Sequence, residues 1–367
     1  MRIMVALAGI AQSLLAAVII PGMMHAGETP AGYKLLSPIR SGNLTVFPVV
    51  AARSFDTSEF ITLDEGVKNG EVIVTEAGQA QGLIRPRRGG QSVIHPIRDA
   101  EVNRLVLVNN SKRPLLLLAG EIVTGGKQDR VIGKDRIVPP ESDPVDLGVF
   151  CVEPGRWVAS GGKYEFGTSH GSAGALFAAP VVRSKAMGAQ NQEEVWDSVR
   201  SSQAAMARAV SPSAASGVTS TTSYARVMED KDVQKQVDSV AEPVTRNYES
   251  TIHRLRDKNA VGVVVAVNGD IVWADIFAST QLLEKYWPKL VRSYATEAVV
   301  TRAKGGEVSV KDAETFLEDL QGRHETAYTE PGVYRQTEIS GDGFKVFELT
   351  SLLPKTGFTM HLAKMAE

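Results

Sequence analysis

Between Ala119 and Trp157 the chain gathers Glu121, Lys127, Gln128, Asp129, Arg130, Cys151, Glu153, Arg156 and Trp157 among residues otherwise suited to buried strand. Charged groups inside an apolar sheet are costly unless they pair with one another or with a ligand. Lys127, Arg130 and Arg156 can form an anion site, because the guanidinium fork matches carboxylate or phosphate. Gln128 would orient the anion and Trp157 would offer a stacking face. The same segment can be read as an enzyme centre, with Glu153 or Glu121 as general acid or base and Cys151 as nucleophile. A cysteine nucleophile needs a depressed pKa and access to solvent. Glu121, Asp129 and Glu153 also equal the three cations in number, so a self-satisfied structural network is a further reading.

Strands must carry these groups. Side chains two apart on a strand share a face, which sets Gln128 and Arg130 apart from Lys127 and Asp129 and makes Arg130 with Glu153 a candidate cross-strand pair. Gly155 permits a sharp turn that brings Arg156 and Trp157 back over the strand ends. Around this segment, Tyr33–Val50, Arg104–Asn109, Pro114–Leu118, Val131–Val138 and Val145–Val152 read as strands, and Thr62 with Glu65 caps a short helix to Asn69. Residues 159–190, rich in Gly, Ala and Ser, read as a long loop. A helical block at 192–257 follows, in which Trp196, Val199, Met206 and Val210 share one face. Its Ser211–Ser223 stretch reads as a flexible connection, and Pro243 should kink or divide a long amphipathic helix. Its apolar stripes admit a purely structural or protein-interaction module as an alternative. Val261–Val267, Asn268-Gly269 and Asp270–Phe277 form a hairpin signal. Helices are expected at Leu282–Tyr294 and Val310–Leu320, and strands at Phe344–Thr350 and Phe358–Leu362. Strands before and after a helical block predict an α+β fold, with residues 27–367 as a single domain.

Arg2 followed by the apolar run Ile3–Ile20, then Pro21-Gly22 and Ala26, has the order of a signal peptide over residues 1–26, and predicts an exported chain, periplasmic or extracellular. Cleavage would remove one positive and no negative charge, taking the formal net charge from −2 to −3. So mild an acidic balance favours neither nucleic acid nor an acidic membrane as partner, and no stable membrane insertion is expected after cleavage. Cys151 is the single cysteine, so an internal disulfide is impossible. The five histidines beyond residue 26, among them His361, show no paired spacing, which disfavours a metal. The phosphate-loop pattern fails at Glu121 and at Gln128, so no cofactor is expected. Gly167-Thr-Ser169-His-Gly171 matches the nucleophile-elbow pattern, but the residues after it make a poor helix start.

Gly120-Glu121, Gly126-Lys127-Gln128-Asp129-Arg130-Val131 and Cys151-Val152-Glu153-Pro154-Gly155-Arg156-Trp157 resemble the signature of a bacterial domain of unknown function, the ARG and rhodanese-phosphatase-superfamily-associated protein domain. ARG stands for ADP-ribosylglycohydrolase. The helix starting near Val195-Trp196-Asp197 and the hairpin Val261–Phe277 are similar to later parts of that domain, so the resemblance spans most of the chain. Phe150 and Pro154 stand where it leads one to expect Ser and Gln, and Ile122 where a second acid is common. The resemblance implies a shared fold with a polar site and no established reaction. Its association with ADP-ribose and phosphate chemistry suggests an anionic small molecule, a nucleotide or ADP-ribose derivative, as partner.

Overall fold

A computed structural model of the chain describes residues 32–79, 103–156, 165–171, 174–254 and 259–367. The expected signal segment and Trp157 lie outside the described residues. The first half holds strands β1 (Lys34–Leu35), β2 (Ile39–Ser41), β3 (Leu44–Ala51) and β4 (Ile61–Thr62), helix α1 (Leu63–Lys68), and β5 (Val72–Glu76). It continues with β6 (Arg104–Asn109), β7 (Leu115–Leu117), β8 (Ile122–Gly125), β9 (Arg130–Ile132), β10 (Arg136–Val138) and β11 (Val145–Cys151). Thr62 caps α1 and Glu65 reaches back to the Thr62 N–H, as their spacing predicts. The expected strand Val131–Val138 is two strands, broken where Gly133 to Asp135 turn the chain from one sheet into another.

The segment expected as a long loop carries structure of its own. β12 (Glu165–Gly167) pairs with β5 and β8, β13 (Ser169–His170) pairs with β14 (Gly174–Ala175), and α2 (Pro180–Ser184) runs into a π-helical turn at Lys185–Ala189. Its small residues are packed ones, Ala178, Ala179 and Ala186 being fully buried. Among the described residues the next element after Ser169-His170 is strand β14 and not a helix, so the elbow context is missing there.

Four helices make up the helical block: α3 (Gln192–Ala209), α4 (Pro212–Ser220), α5 (Tyr224–Glu229) and α6 (Lys231–Arg254). The Ser/Thr-rich stretch expected to be flexible is thus mostly α4. Ser211 caps it by accepting from the Ala214 N–H, Pro212 occupies its first turn, and Gln203 Nε2 donates to the Val218 carbonyl at 2.6 Å. α6 runs through Pro243 as one element. The stripe Val233, Val237, Val244 and Tyr248 belongs to the main core, together with Val195, Val199 and Met206 of α3.

The chain closes with β15 (Asn259–Val267), β16 (Asp270–Phe277), α7 (Thr280–Val300), α8 (Val310–Glu318), β17 (Arg323–Glu330), β18 (Tyr334–Ser340), β19 (Phe344–Ser351) and β20 (Thr359–Ala366). Asn268 and Gly269 both take positive φ, as the tight hairpin turn between β15 and β16 requires. β17 and β18 went unrecognised in the sequence because β17, Arg-His-Glu-Thr-Ala-Tyr-Thr-Glu, lacks an apolar alternation.

Nine strands form one antiparallel sheet in the order β1-β3-β15-β16-β20-β19-β18-β17, with β2 also paired to β3. One face packs against α3, α6 and α7, and the other is covered by α8 through Ala313 and Leu317. A six-stranded closed barrel, β11-β6-β5-β12-β8-β9, stands beside it around Val74, Leu105, Leu107, Val123, Leu147 and Phe166. The fold is α+β, as the sequence predicts. No helix among the described residues is long and apolar enough to cross a membrane.

Candidate functional site

The barrel brings most of the polar cluster to one end. β9 pairs with β11 so that Arg130 stands opposite Cys151, and the turn joining β8 to β9 supplies Lys127, Gln128 and Asp129. Gly125 and Gly126 make that turn with positive φ. A Cβ on Gly126 would come within 2.2 Å of the Phe166 ring and 2.8 Å of Glu76 Oε1, so only glycine fits there.

Arg156 closes the end of the barrel. Its guanidinium donates to Glu153 Oε2 at 2.6 Å and to the Gly126 and Gly125 carbonyls at 3.0 and 3.4 Å, and it lies 3.6 Å from Asp129 Oδ1. Glu153 raises the already high pKa of Arg156 through that bond. Glu153 also accepts from the Asp129 N–H at 3.1 Å, while Gln128 Nε2 donates to the Glu153 carbonyl at 3.0 Å. Asp129 in turn accepts from the Gly125 N–H at 3.0 Å and from Ser223 Oγ at 2.8 Å, tying the turn to the start of α5. Glu153, expected opposite Arg130, is held by Arg156 three residues along. Arg130 is fully buried, and burial pulls its guanidinium pKa down against the fields of Cys151, Glu76 and Asp129.

Glu121 is not among these groups. It joins Lys289 Nζ at 2.5 Å and the Leu118 N–H at 2.7 Å, and Lys289 also holds Asp64 at 2.5 Å. Burial lowers the Lys289 pKa less than Glu121 and Asp64 raise it, so it stays an ammonium, while burial pushes the Glu121 carboxyl up. The third acid of the cluster is Glu76, at the end of β5, whose Oε1 accepts from the Lys127 N–H at 2.7 Å. Sequence reasoning missed it because β5 is remote in the chain. Its only signal is a carboxylate ending an apolar strand.

Cys151 is fully buried, and burial pushes its thiol pKa up, opposed by a hydrogen bond from the Glu153 N–H and by Arg130. Gln192, at the start of α3, clamps its backbone, accepting from the Cys151 N–H at 2.9 Å and donating to its carbonyl at 3.0 Å. A thiol so placed lacks both the access and the depressed pKa that nucleophilic attack requires.

A second buried network joins barrel to sheet. His361 Nδ1 meets Asp135 Oδ2 at 2.5 Å and its Nε2 meets Asp275 Oδ1 at 3.1 Å. Asp275 Oδ2 pairs with Arg183 at 2.8 Å and accepts from the Tyr294 hydroxyl. Burial alone would lower the His361 pKa, but the two carboxylates outweigh it and raise it to about 9. Asp275 is held well below the usual carboxylate range, since Arg183 and His361 more than offset its burial. The sequence shows His361 only as a lone histidine, because its partners lie 226 and 86 residues away.

What the fold and site define is an α+β protein in which a small barrel, braced by a nine-stranded sheet, holds a compact group of three acids and three bases at its end. The profile of the ARG and rhodanese-phosphatase-superfamily-associated protein domain matches residues 32–365, and the chain belongs to that family. No curated protein and no solved structure matches it.

Proposed function

We propose that this chain is an exported accessory domain that binds an anionic small molecule, a nucleotide or ADP-ribose derivative, at the turn between β8 and β9. The observation that carries the reading is a pair of unmet acceptors. Gln128 Oε1 and Glu76 Oε2 are buried, and neither has a hydrogen-bond donor among the described residues. Beside them stand two incompletely buried cations, Lys127 and Arg156, the Arg156 side chain being 20% exposed. Unmet acceptors call for hydroxyl or amino donors and cations call for phosphate, and a sugar phosphate offers both. Lys127 and Arg156 then meet the anion at the rim, Gln128 and Glu76 take its hydroxyls, and Arg130 adds positive field from beneath. The order of Arg2, the apolar run Ile3–Ile20 and Ala26 supports export. Binding is favoured over catalysis by the sealed, protonated thiol of Cys151 and by the grip of Arg156 on Glu153.

A thermal-shift screen with ADP-ribose, nucleotides and inorganic phosphate tests this. A ligand at about 100 times its Kd should stabilise the wild type by about 2.7 kcal/mol. Arg156→Ala should keep the fold and lose that gain. Failure of every anion to stabilise the wild type, or unfolding of Arg156→Ala without ligand, would mark the cluster as a structural network.

A further inference from the structure

Away from that cluster, an open cleft of about 530 Å³ lies between the barrel and the β17 edge of the nine-stranded sheet. One wall belongs to the sheet. Tyr334 and Gln336 lie two apart on β18, so they share a face, and Tyr328 stands opposite Gln336 on β17. Phe150 and the backbone at Gly133 and Gly148 form the barrel side, and nothing stands within 4 Å of where a Gly148 Cβ would be.

Three polar side chains of this wall and rim border the cleft, and one of them is unspent. Gln336 and Tyr334 are each only 3% exposed and both line the cleft. Arg136 Nε is buried without an acceptor, although its other nitrogens reach the Asp146 carbonyl at 2.6 Å and Glu330 Oε2 at 3.2 Å. Leaving a buried polar group unmet costs about 1–3 kcal/mol. The cleft these groups line is where a partner would reach them.

The charges are already answered. Arg136 faces Glu330, Asp146 holds Arg104 at 2.7 Å, and Asp135 holds His361. Lys134, exposed at the rim, is the lining residue left without an opposite charge among the described residues. Such a lining selects neither strong anions nor cations. It asks for a neutral solute with one apolar face and hydroxyls that both donate and accept.

We propose that this cleft binds a neutral saccharide. A pyranose ring lays its C–H face on Tyr328, which is 45% exposed, and its hydroxyls bond to the Gln336 amide, the Tyr334 hydroxyl and Arg136 Nε. The volume lies within the range of about 300–1,000 Å³ usual for small-molecule sites. A nucleoside phosphate fits less well, since Lys134 alone would answer its charge.

An array of neutral oligosaccharides, followed by calorimetry and tyrosine fluorescence on the full chain, tests the assignment, with adenosine as a planar control. At least one saccharide should bind the wild type, and both Tyr328→Ala and Gln336→Leu should weaken it tenfold or more. Tyr328 is a surface residue whose loss spares the core, and leucine fills the Gln336 space without a buried donor. Arg156→Ala should bind that saccharide as the wild type does, which separates this site from the anion site. The proposal is overturned if no saccharide on the array binds, if binding survives both substitutions, or if adenosine binds and the saccharides do not.

Discussion

Raising the pH should loosen this protein through one buried group, His361. An unfolded histidine titrates near 6.5, whereas His361, held between Asp135 and Asp275, titrates at about 9. A folded pKa above the unfolded one means that the contribution is fully present below pH 6.5 and is lost as pH rises through 9. At about 1.4 kcal/mol per unit, the whole shift corresponds to about 3 kcal/mol, of which about 1.5 kcal/mol should disappear between pH 6.5 and 8. Lys364 acts in the opposite sense. Burial lowers its pKa from 10.5 to about 8, so its cost to the fold is relieved as pH rises through 8. Between pH 6.5 and 8 that relief amounts to only about 0.4 kcal/mol, so the histidine dominates the window. Urea unfolding at closely spaced pH values in that window, at constant m, should show the wild type weakening with a slope approaching one proton. His361→Gln, whose amide nitrogen can still donate to one of the carboxylates, should lose the slope and cost about 3–5 kcal/mol at pH 6.5, because buried Asp135 loses its cation and Asp275 keeps only Arg183. Wild-type stability that stays level or rises from pH 6.5 to 8, or a decline that persists in His361→Gln, would refute the reasoning.

Cys151 should not react with a thiol reagent in the native protein and should label stoichiometrically in urea. Rapid native labelling would show that the thiol is reachable and would revive the nucleophile reading. Lys289→Met should destabilise by about 3–5 kcal/mol by leaving Glu121 and Asp64 unanswered, and Glu121→Gln added to it should restore part of the loss. Urea midpoints decide this, and equal midpoints for Lys289→Met and the wild type would contradict the pairing.

Short-range signals in the chain were sufficient for the elements whose determinants lie within a few residues. Thr62 and Glu65 specify the α1 cap, Asn268-Gly269 specifies the hairpin, and the spacing of Val233, Val237 and Val244 marks the buried face of α6. The polar cluster was visible for the same reason, since the Gly126–Val131 run and the end of β11 each concentrate charge locally. Helix α4 and strand β14, Gly174–Ala175, were hidden because small residues read as loop until the backbones they pack against are known.

Partner choice was decided by the tertiary structure alone. Nothing near Glu121 in the chain says that it answers Lys289 rather than Lys127, or that Glu76 takes its place in the cluster. Nothing near His361 announces Asp135 and Asp275. The physical reason is that a charge's energy depends on what folding sets within a few ångströms of it, and composition and spacing carry no record of contacts between remote strands.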